Sequence, residues 1–164
     1  MNHEIYIFGS TVRGESAIDS DIDVLAIPSD GETASSYPPT WSVYSRDTLA
    51  DYFAQGRLFA WHLYLESRVV FSASDRPWLQ SIGAPAEYTT AKTDIETLGG
   101  LLRRSVSEIK KGTPSLVYEM GLIYTAVRDI AMSASWKLMG KPCFSRRAPY
   151  LLPLAVNAGL KLTH

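Results

Sequence analysis

Two kinds of hydrophobic spacing divide the chain. Up to about residue 72, short apolar runs alternate with polar and glycine-rich breaks. Glu4–Phe8 (Glu-Ile-Tyr-Ile-Phe) is apolar and β-prone and predicts a strand that ends at Gly9-Ser10. A short helix is expected over residues 10–16, and residues 21–27 (Asp-Ile-Asp-Val-Leu-Ala-Ile) predict a second strand. Residues 28–39 are rich in Ser, Gly and Pro and read as a loop. A third strand over 41–45, a helix over 46–55 stopped by Gly56, a helix over 58–66 and a fourth strand over 68–72 follow. Alternation of strand and helix predicts a small sheet covered by helices.

From about Asp75 the period lengthens. Ile95, Leu98, Leu102, Val106 and Ile109 recur at three-and-four spacing, which places them on one helical face. Gly112 fits a helix stop, and Thr113-Pro114 supplies an N-cap and a first-turn proline for the next helix, expected over 115–138. Its stripe would be Leu116, Met120, Ile123, Tyr124, Val127 and Ile130, with Gly140 and Pro142 closing it. Two long helices joined by a tight break predict an antiparallel pair. The fold class is therefore α+β: a small mixed sheet with helices on its faces over residues 1–73, then a helical bundle over 74–164. Residues 157–164 carry no strong signal.

Composition changes this picture little. In 164 residues, 46% hydrophobic and 20% charged, there is enough apolar material for a packed core and no sign of general disorder. No run approaches the ~20 apolar residues of a membrane span. The single cysteine, Cys143, rules out an internal disulfide and has no His/Cys cluster around it for zinc. The first residues lack a basic region followed by an apolar run, so no signal peptide is expected and the expected location is cytoplasmic. Charge is informative only when divided. The net −1 conceals nine acidic side chains against Arg13 and Arg46 in residues 1–56, and fourteen Lys and Arg against eight Asp and Glu in the remainder. An acidic half beside a basic one suits a metal site facing a surface that receives polyanions, and it equally suits ordinary solvated helices, to which Arg103-Arg104 and Lys110-Lys111 could belong.

The candidate chemistry sits in Phe8-Gly9-Ser10-Thr11-Val12-Arg13-Gly14 and Ser20-Asp21-Ile22-Asp23-Val24. Glycine at a strand end lets backbone approach a ligand closely, and a turn of outward amides suits phosphate oxygens. Ser10 adds a hydroxyl, and Arg13 a permanent planar charge for phosphate or for a neighbouring carboxylate such as Glu15. Asp21 and Asp23, two apart on the expected strand, would project to one face. Two carboxylates that close require a proton or a cation between them, and Mg2+ prefers oxygen ligands completed by substrate phosphates. His62, among aromatics, reads as a packed structural residue, and Glu66 as a surface or structural carboxylate.

Gly9-Ser10, a ten-residue spacer containing Arg13-Gly14, and Asp21-Ile22-Asp23 together resemble the DNA polymerase beta-like nucleotidyltransferases, and their minimal nucleotidyltransferase branch most. The resemblance covers residues 4–27 closely and 28–72 loosely. It implies that Ser10 helps hold the phosphates of a nucleoside triphosphate, ATP foremost, and that Asp21 and Asp23 bind Mg2+ as catalytic residues; the Gly9 turn would hold phosphates beside Ser10, and Arg13 would assist with phosphate or fix the loop. The family commonly carries a third acid on the next strand, and Trp41-Ser42-Val43-Tyr44-Ser45 has none; Asp47 and Glu66 are the nearest substitutes. Tyr124-Thr125-Ala126-Val127-Arg128-Asp129 also resembles the central helix of HEPN domains, but Ser133 stands where their nuclease histidine would be. The implied activity is transfer of a nucleoside monophosphate to an acceptor hydroxyl on a protein, small molecule or RNA end. An antitoxin that modifies a helical toxin partner is one version. A binding module without turnover and an antibiotic-type transferase are the alternatives. Oligomeric state is open.

Overall fold

The computed structural model describes residues 3–15 and 21–152, in two compact units, residues 1–88 and 89–164. In the first, strand β1 (Glu4–Phe8) leads into the single-turn helix α1 (Ser10–Arg13), then β2 (Asp23–Ile27), a 3-10 turn (Ala34–Ser36) and β3 (Ser42–Val43). Helices α2 (Arg46–Ala54) and α3 (Leu58–Glu66), strand β4 (Ser67–Ser72) and the short α4 (Trp78–Ser81) complete it. The sheet order is β3-β2-β1-β4. β1 pairs antiparallel with both β2 and β4, while β2 and β3 run parallel, so the sheet is mixed as expected.

Alternation along β1 decides which face is covered. Glu4, Tyr6 and Phe8 are buried and Ile5 and Ile7 less so. Tyr6 pairs with Leu25, and Phe8 with Asp23, so these side chains share one face. Tyr6, Phe8, Leu25 and Ile27 pack there against Leu49 and Phe53 of α2, Ala60 and Leu63 of α3, and Leu79 of α4. The Ser45 side chain accepts from the Thr48 amide at 3.1 Å and caps α2.

Residues 77–88 are tied to this unit by polar contacts of unusual depth. Glu4 is 1% exposed, yet its carboxylate accepts from the Trp78 amide at 2.9 Å, from Arg46 Nη2 at 3.3 Å and from the Tyr6 hydroxyl. The Tyr6 oxygen in turn accepts from the Leu79 amide at 3.3 Å. Burial and the neighbouring Glu4 push the Tyr6 pKa well up, so the phenol stays a donor. A carboxylate this deep is tolerable only because its oxygens are occupied. Glu4→Ala is expected to cost about 2–3 kcal/mol, because the Trp78 amide and Tyr6 hydroxyl lose a buried acceptor; urea denaturation checks it. Farther on, the Ala86 amide donates to Phe53 O at 2.8 Å and Trp61 Nε1 donates to Ala86 O at 2.9 Å. Gly56 lies beneath this crossing with φ +60, and a Cβ there would stand 2.3 Å from Glu87 O and 2.4 Å from Ala86 O. Gly56→Ala should therefore cost at least about 2 kcal/mol, from left-handed strain plus displacement of backbone that cannot rotate away. A lower urea midpoint at unchanged m-value is the expected observation.

The second unit is a helical pair, α5 (Ala91–Lys110) and α6 (Leu116–Met139), with the short α7 (Ala148–Leu151) packed against α6. Gly112, at φ +82, ends α5, and the Thr113 amide returns to Glu108 O at 3.1 Å. Helix α6 starts at Leu116, later than Thr113-Pro114 suggests, and the Thr113 hydroxyl accepts from the Ser115 amide instead of capping the helix. The buried positions of α6 are Ala126, Ala131, Met132, Ser133 and Ser135, whereas Leu116, Met120, Tyr124 and Val127 of the expected stripe are exposed. Apart from Met132 these are small side chains, and with Ser105 of α5 buried as well they let the backbones approach closely, whereas periodicity weighted by hydrophobicity points to the larger neighbours. Ser135 Oγ donates to Met132 O and accepts from the Cys143 amide at 2.8 Å, which fixes the chain after Gly140. Among the described residues no helix is long and apolar enough to cross a membrane.

Candidate active site

Gly9 ends β1 with φ 71 and ψ −139, a conformation open essentially to glycine alone. The reversal that follows is short. Gly9 O accepts from the amides of Val12 at 3.1 Å and Arg13 at 3.2 Å, Thr11 O from Gly14 at 3.3 Å, and Ser10 O from Glu15 at 2.9 Å. Gly14 takes the left-handed conformation and stops α1 after four residues, so the helix is shorter than residues 10–16. Ser10 is half-buried at the head of this turn.

Asp23 opens β2 directly opposite Phe8, and its side chain leans over the turn. A Cβ placed on Gly9 would stand 2.6 Å from Asp23 Oδ2 and 3.5 Å from its Cγ. The carboxylate thus occupies the room that any side chain at position 9 would need. Glycine here meets a backbone demand and a steric one together. Asp23 is also exposed, so one oxygen-bearing group lies close to the turn and is reachable from solvent. Asp21 is exposed too but precedes the strand, which begins two residues later than expected. The alternation of a pleated strand therefore does not govern where Asp21 points.

Arg13 turns the other way, toward α3. Its Nη1 donates to Glu66 Oε2, which also lies 3.1 Å from His62 Nε2, and its Nε donates to Glu15 Oε2 at 3.0 Å. The Arg13, His62 and Glu66 side chains are only 17–18% exposed. Burial alone would raise the Glu66 pKa, but the close approach of His62 and the hydrogen bond and charge of Arg13 outweigh it and hold the carboxyl below its ordinary range. Burial works against the guanidinium charge as well, and the Glu15 and Glu66 carboxylates overcome it and raise the Arg13 pKa.

Strand β3 is two residues long, Ser42–Val43, in parallel register with Leu25 and Ala26, and brings no acid. Asp47 lies in the first turn of α2, and Glu66 is engaged by Arg13 and His62. Among the described residues no group of three or more His, Cys, Asp or Glu side chains is placed to hold a metal ion. The geometry thus joins Gly9, Ser10 and Asp23 at one strand end and directs Arg13 to α3. The His62–Glu66 pair is the feature that sequence reasoning undervalued. Its four-residue spacing on a helix was the available signal, and nothing in the sequence linked it to Arg13, 53 positions away from Glu66.

No curated protein matches the chain. Residues 2–70 do match the nucleotidyltransferase domain family, a span that takes in β1, the Gly9-Ser10 turn, both aspartates and most of β4. A mixed sheet with Gly-Ser at the end of its first strand and an Asp-x-Asp whose second acid opens the next strand, within that match, makes residues 2–70 a nucleotidyltransferase domain of the DNA polymerase beta-like kind.

Proposed function

We propose that the protein transfers a nucleoside monophosphate from a nucleoside triphosphate, ATP foremost, to an acceptor hydroxyl, with Mg2+ held by Asp21 and Asp23. The seating of the Asp23 carboxylate against the bare Cα of Gly9 carries the reading: it sets an anionic oxygen pair directly over the backbone of the turn. The donor set fits the ion, since both groups offer hard oxygens and both are exposed. Bound Mg2+ would neutralise triphosphate charge and polarise the α-phosphorus. Ser10 and the Gly9 turn hold phosphate oxygens, and Arg13 fixes the turn. The acceptor oxygen then attacks the α-phosphorus in line. The bond from that phosphorus to the bridging oxygen breaks, pyrophosphate leaves, and the hydroxyl gives up its proton to solvent water.

The acceptor is assigned to three classes that one experiment separates: a protein side chain, including a tyrosine or serine of a helical toxin partner in the same cytoplasm; a small molecule such as an antibiotic; or an RNA end. The protein is incubated with each α-labelled triphosphate, Mg2+ and cell extract, and the labelled product is identified. Label on a discrete macromolecule or metabolite supports the transferase. Absence of any label at high protein concentration, with triphosphate still bound, would favour the second reading, a nucleotide-binding adaptor without turnover. The observation behind that second reading is the strand β3, which offers no acid to take the acceptor's proton.

A further inference from the structure

We propose that one turn of α3 braces the phosphate turn, with His62 and Glu66 as positioning residues that act on triphosphate binding through Phe8 and Arg13. The consequence for binding rests on the nucleotide reading above; the brace itself belongs to the free protein. His62 and Glu66 are four residues apart and so share one face of α3. The His62 ring meets Phe8 edge-on, with centroids 5.4 Å apart and planes at 84°. Phe8 is the residue before Gly9 and the register partner of Asp23. Glu66, one turn later, takes Arg13 Nη1, and Arg13 is the last residue of α1. The strand that enters the turn and the helix that leaves it are therefore both held by one helical turn of α3.

The contact is built to hold. Its three side chains are mostly withdrawn from water, so the charges of Arg13 and Glu66 are screened less than those of a surface pair. A single oxygen, Glu66 Oε2, accepts from Arg13 Nη1 and lies 3.1 Å from His62 Nε2, so the two ends meet at one atom. Glu15 takes the remaining reach of the guanidinium through Nε. With its fork committed to Glu66 and Glu15, Arg13 acts on the turn's shape and not as a free cation.

The brace makes a prediction whose sign is opposite to simple electrostatics. Glu66 is a negative charge close to a turn assigned to a polyanion. If only its charge mattered, Glu66→Gln would tighten triphosphate binding, by removing repulsion and releasing Arg13. If Glu66 positions the turn, the same isosteric change loosens it and weakens binding. The full chain is compared as wild type, Glu66→Gln, Arg13→Ala and the double variant, by amide hydrogen exchange and by calorimetric titration with ATP and Mg2+. In Glu66→Gln the amides of Val12 to Glu15 should exchange about tenfold faster while those of β1 keep their rates. ATP affinity should fall about tenfold, and the double variant should bind no worse than Arg13→Ala, since both act through one contact. Unchanged exchange at Val12 to Glu15, or ATP affinity equal to or tighter than wild type, overturns the proposal. Should wild type take up no ATP, the exchange measurement still decides the brace, and it is the nucleotide reading that fails. If Glu66→Gln does not fold, Arg13→Gln gives the same exchange readout with the same expected direction.

Discussion

Asp23→Asn is expected to lower nucleotidyl transfer at least about a thousandfold, equivalent to about 4 kcal/mol of transition-state stabilisation, with the fold intact. The residue is exposed at the mouth of β2, so no core contact is lost, and the amide keeps the size that fills the space over Gly9. What changes is charge. An amide oxygen is a poor ligand for Mg2+ beside a triphosphate, and the developing negative charge at the α-phosphorus loses its counter-charge. Incorporation of label from α-labelled ATP, read beside circular dichroism, checks both halves. A variant that transfers as well as its parent would remove Asp23 from the chemistry and with it the central assignment of roles.

The second large effect concerns Gly9, and Gly14 supplies its control. Both glycines have φ 71, so alanine at either forces a left-handed backbone. At Gly14 a Cβ would meet nothing within 4 Å, and the expected cost is about 1 kcal/mol of strain with activity retained. At Gly9 the ψ of −139 is closed to side chains, and the new methyl would stand 2.6 Å from Asp23 Oδ2. Gly9→Ala is therefore expected to cost about 2–3 kcal/mol of stability. It should also push the Asp23 carboxylate off the turn and reduce transfer at least about a hundredfold. Thermal unfolding and transfer rates on the two variants, side by side, separate strain from displacement. Equal losses at both positions would mean that the closeness of Asp23 to Gly9 has no functional weight.

How far the sequence disclosed this arrangement depends on how local each determinant is. Strand β1 was legible to the residue because five alternating positions end at a glycine whose only natural place is a reversal. The covered sheet and the helical pair were legible from the change of period near residue 75. The start of β2 was not, since Asp21-Ile22 carries the same alternation as the strand but has no partner beyond Phe8↔Asp23. Pairing is a property of two segments and leaves no mark in one. The α6 stripe misled in part for a related reason: Ile123 and Ile130 are half-buried, but most of the fully buried positions are Ala and Ser, which a hydrophobic periodicity weighs less than Leu or Tyr. In the site, Gly9, Ser10 and the two aspartates could be singled out by type and spacing. The engagement of Arg13 with Glu66 could not, because it joins residues 53 positions apart and depends on α3 arriving beside the turn. Glu4 shows the same limit, reading as a strand-edge charge until Trp78 and Arg46 close over it.

That closure has a practical side. The family match stops at residue 70, yet the first compact unit runs to residue 88, and the tail of that unit contributes the amide of Trp78 to Glu4 and the carbonyl of Ala86 to Trp61. Anyone wishing to excise, fuse or split this domain should cut after Tyr88. A shorter piece would strip a buried carboxylate of its lid and open the seam at Gly56, turning the best-organised corner of the unit into its point of collapse.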